Sequence, residues 1–176
     1  MKPSKRACLL PPVPSPAAPG PRYLSRSEGV VTTAFKSDVI DRIFFARYPQ
    51  PPSKDTVAAV VSLVAAAQQR IGQPLIYVGS IDSKSKVPNA EERNNLNTLL
   101  AELRPYCEAI NLIIEGSELQ NSLQRVVISG MIIFTRTYDN FAVHKSIDGV
   151  TADLAERLKK DVSPLIKLAR DRGLVL

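Results

Sequence analysis

The side chains that most often perform acid–base or nucleophilic chemistry are scarce in this sequence and do not pair. His144 is the one histidine, and no serine or cysteine lies at a spacing that indicates a nucleophile for it to activate. Cys107 stands beside Glu108 without a neighbouring base, and Cys8 lies near the start of the chain. Two such cysteines indicate neither a disulfide framework nor a metal site. We therefore interpret His144 as a structural histidine and expect no metal and no other cofactor.

Charged side chains near the expected carboxyl ends of strands suggest another chemistry, the binding of an anion or of a protein partner. Arg93 and Arg125 each lie near a predicted helix start, where unpaired backbone amides add positive charge. Ordinary surface salt bridges explain the same two arginines. Titratable residues are sparse at the strand ends beyond Asp82, Glu115 and His144. The candidate edge for a partner or an anion consists of Asp82, Asn89, Arg93, Gly116, Ser117 and Arg125.

The segment 109–124 must position part of this edge, because its pattern indicates a strand that turns sharply into a helix. A near-continuous apolar run, typical of a parallel strand covered on both faces, is formed by Ile110, Leu112, Ile113 and Ile114. Gly116 permits the turn, and Ser117 and Gln120 fit a reciprocal capping box. Ligands often bind at such junctions in open α/β sheets. Turn and capping requirements nevertheless explain these residues without an active site.

The remaining elements alternate between strand and helix. Two extended runs, 30–35 and 39–48, are separated by the polar residues 36–38 and predict an antiparallel hairpin. Ser53 begins a helix that ends at Gly72, and Asn89 with Glu92 predicts a capping box for a second helix, which Pro105 closes. The other predicted elements are strands at 75–81 and 141–144, a helix marked by 150, 154 and 158, and a short helix that starts at Ser163 and ends at Gly173.

This order of elements predicts an α/β fold with one domain over residues 29–176. We expect a mixed sheet of about five strands, in which an N-terminal hairpin is followed by β-α repeats. About four helices and a short C-terminal helix should cover this sheet.

The predicted helix at 118–136 is apolar almost all round at its centre. A helix of this kind is either enclosed within the domain or presents a second apolar face to a partner. Ile128, Met131 and Ile132 lie on that second face. These three residues predict an interface, either with another protein or with a second copy of the chain.

The distribution of charge disfavours nucleic acid as a partner. The formal net charge is +6, and residues 1–28 supply +4 of it. The rest of the chain is nearly balanced, whereas a nucleic-acid-binding domain usually has a basic face. No run approaches the roughly 18 apolar residues that span a bilayer, so we expect no membrane association. The few cysteines fit a reducing cytoplasm.

Residues 1–28 predict a disordered, proline-rich basic tail. Seven of the 14 prolines lie within residues 1–22, with small residues between them, and such a segment cannot pack a core. It is either a solvated leader or a docking arm for a partner that recognises proline, with Leu9, Leu10 and residues 11–16 as the contact stretch.

The order of elements over about residues 29–160 resembles the STAS domain, the fold of bacterial anti-sigma-factor antagonists of the SpoIIAA-like group. Four stretches are similar to divergent bacterial members: LIYVGSID, VPNAEERNNL, INLIIEG before the long apolar helix, and FAVHKSID before a later helix. In phosphorylatable members, a strand ending in Asp leads to an Asp-Ser-Ser-Gly-like turn. Asp82 and Ser83 match this pattern in part, but the glycine is missing and the loop is longer.

This resemblance implies a non-enzymatic regulatory or scaffolding module that acts in signalling through protein–protein interaction. It makes Ser83 and Ser85 candidate phosphoacceptors, with Lys84 and Lys86 placed to pair with a phosphate. A plain polar connector explains the same loop. The alternative function is a small α/β enzyme, or a protein that binds an anionic metabolite at the carboxyl edge of the sheet.

Overall fold

A computed structural model of the chain describes residues 30–31, 34–115 and 140–176. One mixed sheet runs through these residues. Its strands are β1 (Val30–Val31), β2 (Lys36–Ile40), β3 (Ile43–Tyr48), β4 (Leu75–Ile81), β5 (Cys107–Ile114) and β6 (Phe141–His144). The described helices are α1 (Lys54–Ile71), α2 (Ala90–Leu103), α3 (Asp148–Leu158) and α4 (Ser163–Asp171). The predicted α/β class and single-domain mixed sheet are confirmed.

The strands lie side by side in the order in which they occur in the chain. β1, β2 and β3 are antiparallel neighbours, whereas β3, β4, β5 and β6 run parallel to one another. Parallel neighbours require a crossover connection, and α1 and α2 supply two of them. The carboxyl ends of β3, β4 and β5 therefore meet at one edge of the sheet, which we call the carboxyl edge.

The predicted position of the hairpin turn is wrong. Residues 36–38 do not form the turn but belong to β2, which pairs with β3 from Lys36↔Arg47 to Ile40↔Ile43. The chain reverses at Asp41, whose φ of 61° lies in the left-handed region that aspartate tolerates. Asp38 was assigned to the turn because it is charged, yet it is 8% exposed and forms an ion pair with Arg172. The ion pair with Arg172, which is distant in the sequence, thus compensates the buried charge of Asp38 inside β2.

Helices cover both faces of the central strands. On one face, α1 and α2 pack through Val60, Val64, Leu99 and Leu103 against side chains of β3, β4 and β5. On the other face, α3, α4 and the residues after α4 pack through Val150, Leu154, Ile166 and Leu174. Because successive strand side chains point to opposite faces, such strands need apolar residues at nearly every position. β4 fits this rule, since all seven of its residues are buried.

The ends of the helices follow the predicted signals. Ser53 accepts a hydrogen bond from the amide of Thr56 at the start of α1, and Gly72 ends this helix with a φ of 73°. The side chain of Asn89 accepts from the Glu92 amide, and the side chain of Glu92 accepts from the Asn89 amide, so the predicted capping box of α2 is present. Gly173, with a φ of 63°, follows α4. The Ser53 and Asn89 caps fix where the loops that follow β3 and β4 at the carboxyl edge end.

Polar contacts fasten the α3–α4 pair to the sheet. Arg42, at the start of β3, donates to the carbonyl oxygens of Pro74 at 3.1 Å and Arg157 at 2.9 Å. Arg42 also forms an ion pair of 2.8 Å with Glu108. Lys160, just after α3, pairs with Asp41 in the hairpin turn. These contacts join residues far apart in the chain and set the position of the second helical layer.

Two tyrosines form a buried polar pair beneath α1 and α2. The hydroxyls of Tyr48 and Tyr77 lie 2.5 Å apart, and both side chains are fully buried. Gly79 makes room for this arrangement, because a β-carbon there would lie 2.9 Å from Cε1 of Tyr77 and 2.8 Å from Cδ2 of Leu112. Burial raises the pKa of both hydroxyls above their ordinary value of 10.0, so both stay protonated.

Several predicted features lie outside the described residues. They are the tail at 1–28, the helix at 118–136 with its interface residues Ile128, Met131 and Ile132, and the edge residues Gly116, Ser117 and Arg125. Among the residues that the structure describes, no helix has the length and apolar character needed to cross a membrane.

Candidate functional site

Arg47 is the central charge of the carboxyl edge. It lies one residue before the end of β3, and its side chain is largely buried. One guanidinium nitrogen, Nη2, lies 3.0 Å from Oδ2 of Asp82 and 2.9 Å from Oε2 of Glu115. Asp82 follows β4 and Glu115 follows β5. Arg47 therefore joins the ends of three neighbouring parallel strands.

Glu115 is the buried acceptor of this site, with 3% of its surface exposed. While Oε2 faces Arg47, Oε1 accepts from the hydroxyl of Ser80 at 2.6 Å and from the amide of Leu176 at 3.2 Å. A buried carboxylate is stable in its charged form only when hydrogen bonds and an opposite charge replace water. Arg47, Ser80 and Leu176 supply these interactions.

Asp82 organises the loop that leads to α2. Its Oδ1 accepts from the Lys84 amide at 2.9 Å, and its carbonyl oxygen accepts from the Ser85 amide, also at 2.9 Å. The bond from Lys84, followed by the Arg47 interaction, lowers the pKa of the Asp82 carboxyl below its ordinary value of 3.8. Asp82 is therefore charged at neutral pH and holds the first turn of the loop.

The two candidate phosphoacceptors have different environments. Ser85 is fully buried, and its hydroxyl donates to the carbonyl oxygen of Lys86 at 3.5 Å. Ser83 is partly exposed, as a kinase would require. The expectation of an accessible loop serine thus fits Ser83 but not Ser85, because the turn at Asp82 directs Ser85 inward. Ser83 stays a candidate phosphoacceptor.

At the start of α2, the described polar side chains bond to neighbouring groups of the loop and helix. The side chain of Asn89 caps the helix, and Arg93 donates through Nη1 to the carbonyl oxygen of Pro88 at 3.0 Å. The Lys86 ammonium pairs with Oε1 of Glu92 at 2.7 Å. The bond from Lys86 lowers the pKa of Glu92 below its ordinary value of 4.5. These polar groups stabilise the loop and the helix start.

Val87 is the apolar residue that this loop presents to solvent. With 38% of its surface exposed, it is one of three large hydrophobic side chains described as exposed, together with Leu168 on α4 and Leu176. The neighbouring Lys84, Lys86 and Asn89 are also exposed. Val87 therefore lies among exposed polar residues in the sequence of this loop.

His144 belongs to a separate polar network on the face covered by α3. Its Nε2 lies 3.0 Å from Oδ1 of Asn111, and Nδ2 of Asn111 donates to Asp153 at 3.4 Å. Asp153 also accepts from Arg157 at 2.7 Å. Because Oδ1 of Asn111 can only accept, the imidazole donates through Nε2 in this arrangement. The network joins β5 and β6 to α3.

His144 should make stability fall in mild acid. Burial lowers its pKa below the ordinary value of 6.5, and the charge of Asp153 opposes this only in part. Because the unfolded chain then binds a proton more readily than the folded protein, stability is present above pH 6.5 and is lost as the pH falls through the folded pKa. Urea unfolding at several values between about pH 7.5 and pH 5 would measure this loss.

The matched variant for this measurement is His144→Gln, which keeps a hydrogen-bond donor and removes the titration. Its stability should change less than that of the wild type over the same interval. An equal slope in the two proteins would exclude His144 as the source.

Cys107 is a poor nucleophile in its folded environment. Burial raises the pKa of the Cys107 thiol to about 12, so the thiolate that nucleophilic chemistry requires is scarce at neutral pH. Within residues 30–31, 34–115 and 140–176, no group of three or more His, Cys, Asp or Glu side chains could hold a metal ion.

Sequence reasoning identified Asp82 and Glu115 at this edge but missed Arg47 and Ser80. The signal for Arg47 was present, since it is the charged residue in the otherwise apolar strand IFFARY. A charge at such a position needs a buried partner. Comparison with known proteins finds no matching family model, no matching curated protein and no matching solved structure.

Proposed function

We propose that this chain is a non-enzymatic regulatory or scaffolding module of the STAS-like kind, which acts by binding a protein partner. The partner surface is the carboxyl edge, and its accessible part is the loop 82–88 with the first residues of α2. The alternative is an enzyme or a binding protein for an anionic metabolite at the same edge.

The observation that carries the proposal is that two cations at this edge, Arg47 and Lys86, are each paired with acidic side chains. Arg47 bonds to Asp82 and Glu115, and Lys86 bonds to Glu92. An anion site would instead hold cationic donors ready for a ligand, and an acid–base site would hold a titratable group ready to transfer a proton. Pairing of this kind gives the loop 82–88 a defined shape, which favours recognition by a protein.

The exposed side chains of the loop support the same proposal. Val87 supplies an apolar contact, and the exposed Lys84 adds a positive charge on the same loop. Interfaces commonly combine an apolar centre with a polar rim. The loop is also held at both ends, by Asp82 and by the Asn89 cap, so little conformational entropy is lost when a partner binds.

Val87→Asp should reduce capture of the partner at least tenfold, because burying an unpaired carboxylate at the centre of an interface should cost more than the roughly 1.4 kcal/mol that corresponds to a tenfold change in affinity. The measurement is quantitative affinity capture from the native cell, combined with a photo-crosslinking residue placed at position 87. The matched control is Leu168→Asp on α4, since Leu168 is 36% exposed and Val87 is 38% exposed.

Two outcomes would contradict the proposal. One is equal capture by Val87→Asp and Leu168→Asp, with no partner crosslinked at position 87. The other is turnover of a substrate from a panel of anionic metabolites that is lost in Arg47 or Asp82 variants that remain folded. The second outcome would favour the alternative function.

A further inference from the structure

The residues after α4 return to the sheet and lie against the carboxyl edge. Gly173 turns the chain, and the Leu174 amide donates to the carbonyl oxygen of Ala169 at 2.9 Å. Leu174 and Val175 then bury their side chains, with 1% and 2% exposed, while Leu176 is 64% exposed. We call residues 172–176 the closing segment. It is anchored by two apolar side chains and ends beside Glu115.

The closing segment contacts the same carboxylate that orients Arg47. The Leu176 amide donates to Oε1 of Glu115 at 3.2 Å, and Ser80 donates to that same oxygen at 2.6 Å. Arg47 takes the other oxygen, Oε2, at 2.9 Å. The position of Glu115 thus depends in part on whether the closing segment is in place.

Two further bonds connect Glu115 to the loop. Nη2 of Arg47 is shared between Glu115 at 2.9 Å and Asp82 at 3.0 Å. Asp82 in turn accepts from the amide of Lys84 at 2.9 Å. An unbroken series of hydrogen bonds therefore runs from Leu176 through Glu115, Arg47 and Asp82 to the loop 82–88.

We propose that the closing segment is a conformational latch that controls the order of the loop 82–88 through this series. With the segment seated, Glu115 has all three donors, Arg47 is fixed and the loop is held. With the segment lifted, water reaches Glu115, Arg47 gains freedom to move, and the loop opens more often. A partner that prefers one loop conformation would shift the balance between the two states.

Two arginines, Arg170 and Arg172, form further contacts that hold the closing segment in its seated state. Arg172 pairs with Asp38 of β2, and Nε of Arg170 donates to the carbonyl oxygen of Leu176 at 3.2 Å. Arg170 is partly exposed, so water can replace its bond to Leu176 at a small free-energy difference. Asp38 is buried, so loss of its pairing with Arg172 would be costly, and the segment lifts beyond Arg172 rather than at it. The anchoring of Leu174 and Val175 opposes lifting. The regulatory consequence rests on the proposed function, but the coupling between segment and loop does not.

Amide hydrogen exchange in the full chain tests this coupling without a partner. Leu176→Pro removes the amide donor to Glu115, because proline has no N–H. The matched control Leu176→Ala keeps the amide and shortens the same exposed side chain. We expect exchange at the Lys84 and Ser85 amides to rise about fivefold in Leu176→Pro, the size of one lost hydrogen bond, and to stay at the wild-type rate in Leu176→Ala.

A second variant distinguishes release of the closing segment from a local distortion caused by the proline ring. Leu174→Ser weakens the apolar anchor, and it should accelerate the same two amides while those of β4 remain protected. Unchanged exchange at Lys84 and Ser85 in both Leu176→Pro and Leu174→Ser would overturn the latch. The partner proposal would still stand after that result, because Val87→Asp tests it separately. Conversely, if Val87→Asp did not reduce capture of the partner, the exchange result would still show that the closing segment and the loop are coupled.

Discussion

Replacing Arg47 with methionine is expected to lower the free energy of unfolding by about 3–5 kcal/mol, the usual cost of removing one member of a buried ion pair. Glu115 is 3% exposed, and Arg47 is the cation placed against it. Methionine fills a similar volume but leaves the carboxylate with neutral donors only. Urea unfolding followed by circular dichroism would measure the change.

The control for this prediction is an exposed ion pair. Lys167 and Asp171 lie 2.8 Å apart on α4 with 77% and 58% of their side chains exposed, so Lys167→Met should leave the free energy of unfolding nearly unchanged. The double variant Arg47→Met with Glu115→Leu should be more stable than Arg47→Met alone, because no buried charge remains. A cost below about 1 kcal/mol for Arg47→Met would mean that Glu115 does not depend on Arg47.

The buried tyrosine pair gives the second large effect. Tyr48→Phe or Tyr77→Phe should each lower the free energy of unfolding by about 1–3 kcal/mol, because the remaining hydroxyl is left buried without its partner. The double variant should cost less than the sum of the two single variants, since it leaves no hydroxyl without a partner. A double-mutant cycle measures this difference as a coupling free energy.

Tyr106→Phe is the matched control for the cycle, because Tyr106 is only half-buried. It should change the free energy of unfolding by less than about 0.5 kcal/mol. Additive costs for Tyr48→Phe and Tyr77→Phe would show that the hydroxyls do not depend on each other.

The wild type should also lose stability as the pH rises above 10.0. There the tyrosines of the unfolded chain ionise, while the raised pKa values keep the folded pair protonated.

The features predicted correctly from the sequence are those whose causes are local. The capping box of Asn89 and Glu92 and the helix end at Gly72 each depend on residues within one or two turns. β4 was recognised because an apolar run between turn signals indicates a buried strand. Patterns of this kind also sufficed for the α/β class and the single domain.

The errors arose where a residue's partner is distant in the chain. Asp38 was assigned to a turn because its ion-pair partner, Arg172, is separated from it by 134 positions. Arg47 was overlooked because its role depends on Glu115, 68 positions away. A single sequence gives no direct measure of such pairings. The position of a charged residue within a strand was the signal that could have indicated a partner, because a buried charge requires a side chain of opposite charge.

The sequential strand order has a consequence for synthesis of the protein. Each strand pairs with the preceding one, so the sheet can extend from β1 toward β6 while the ribosome adds residues. Among the described residues, the face formed by Ile43, Phe45, Ile76 and Val78 is covered by residues 147–175, which follow all six strands in the chain. A nascent chain that has completed the strands therefore still exposes these apolar side chains until residues 147–175 have left the ribosome. Protection by a chaperone would matter most during that interval.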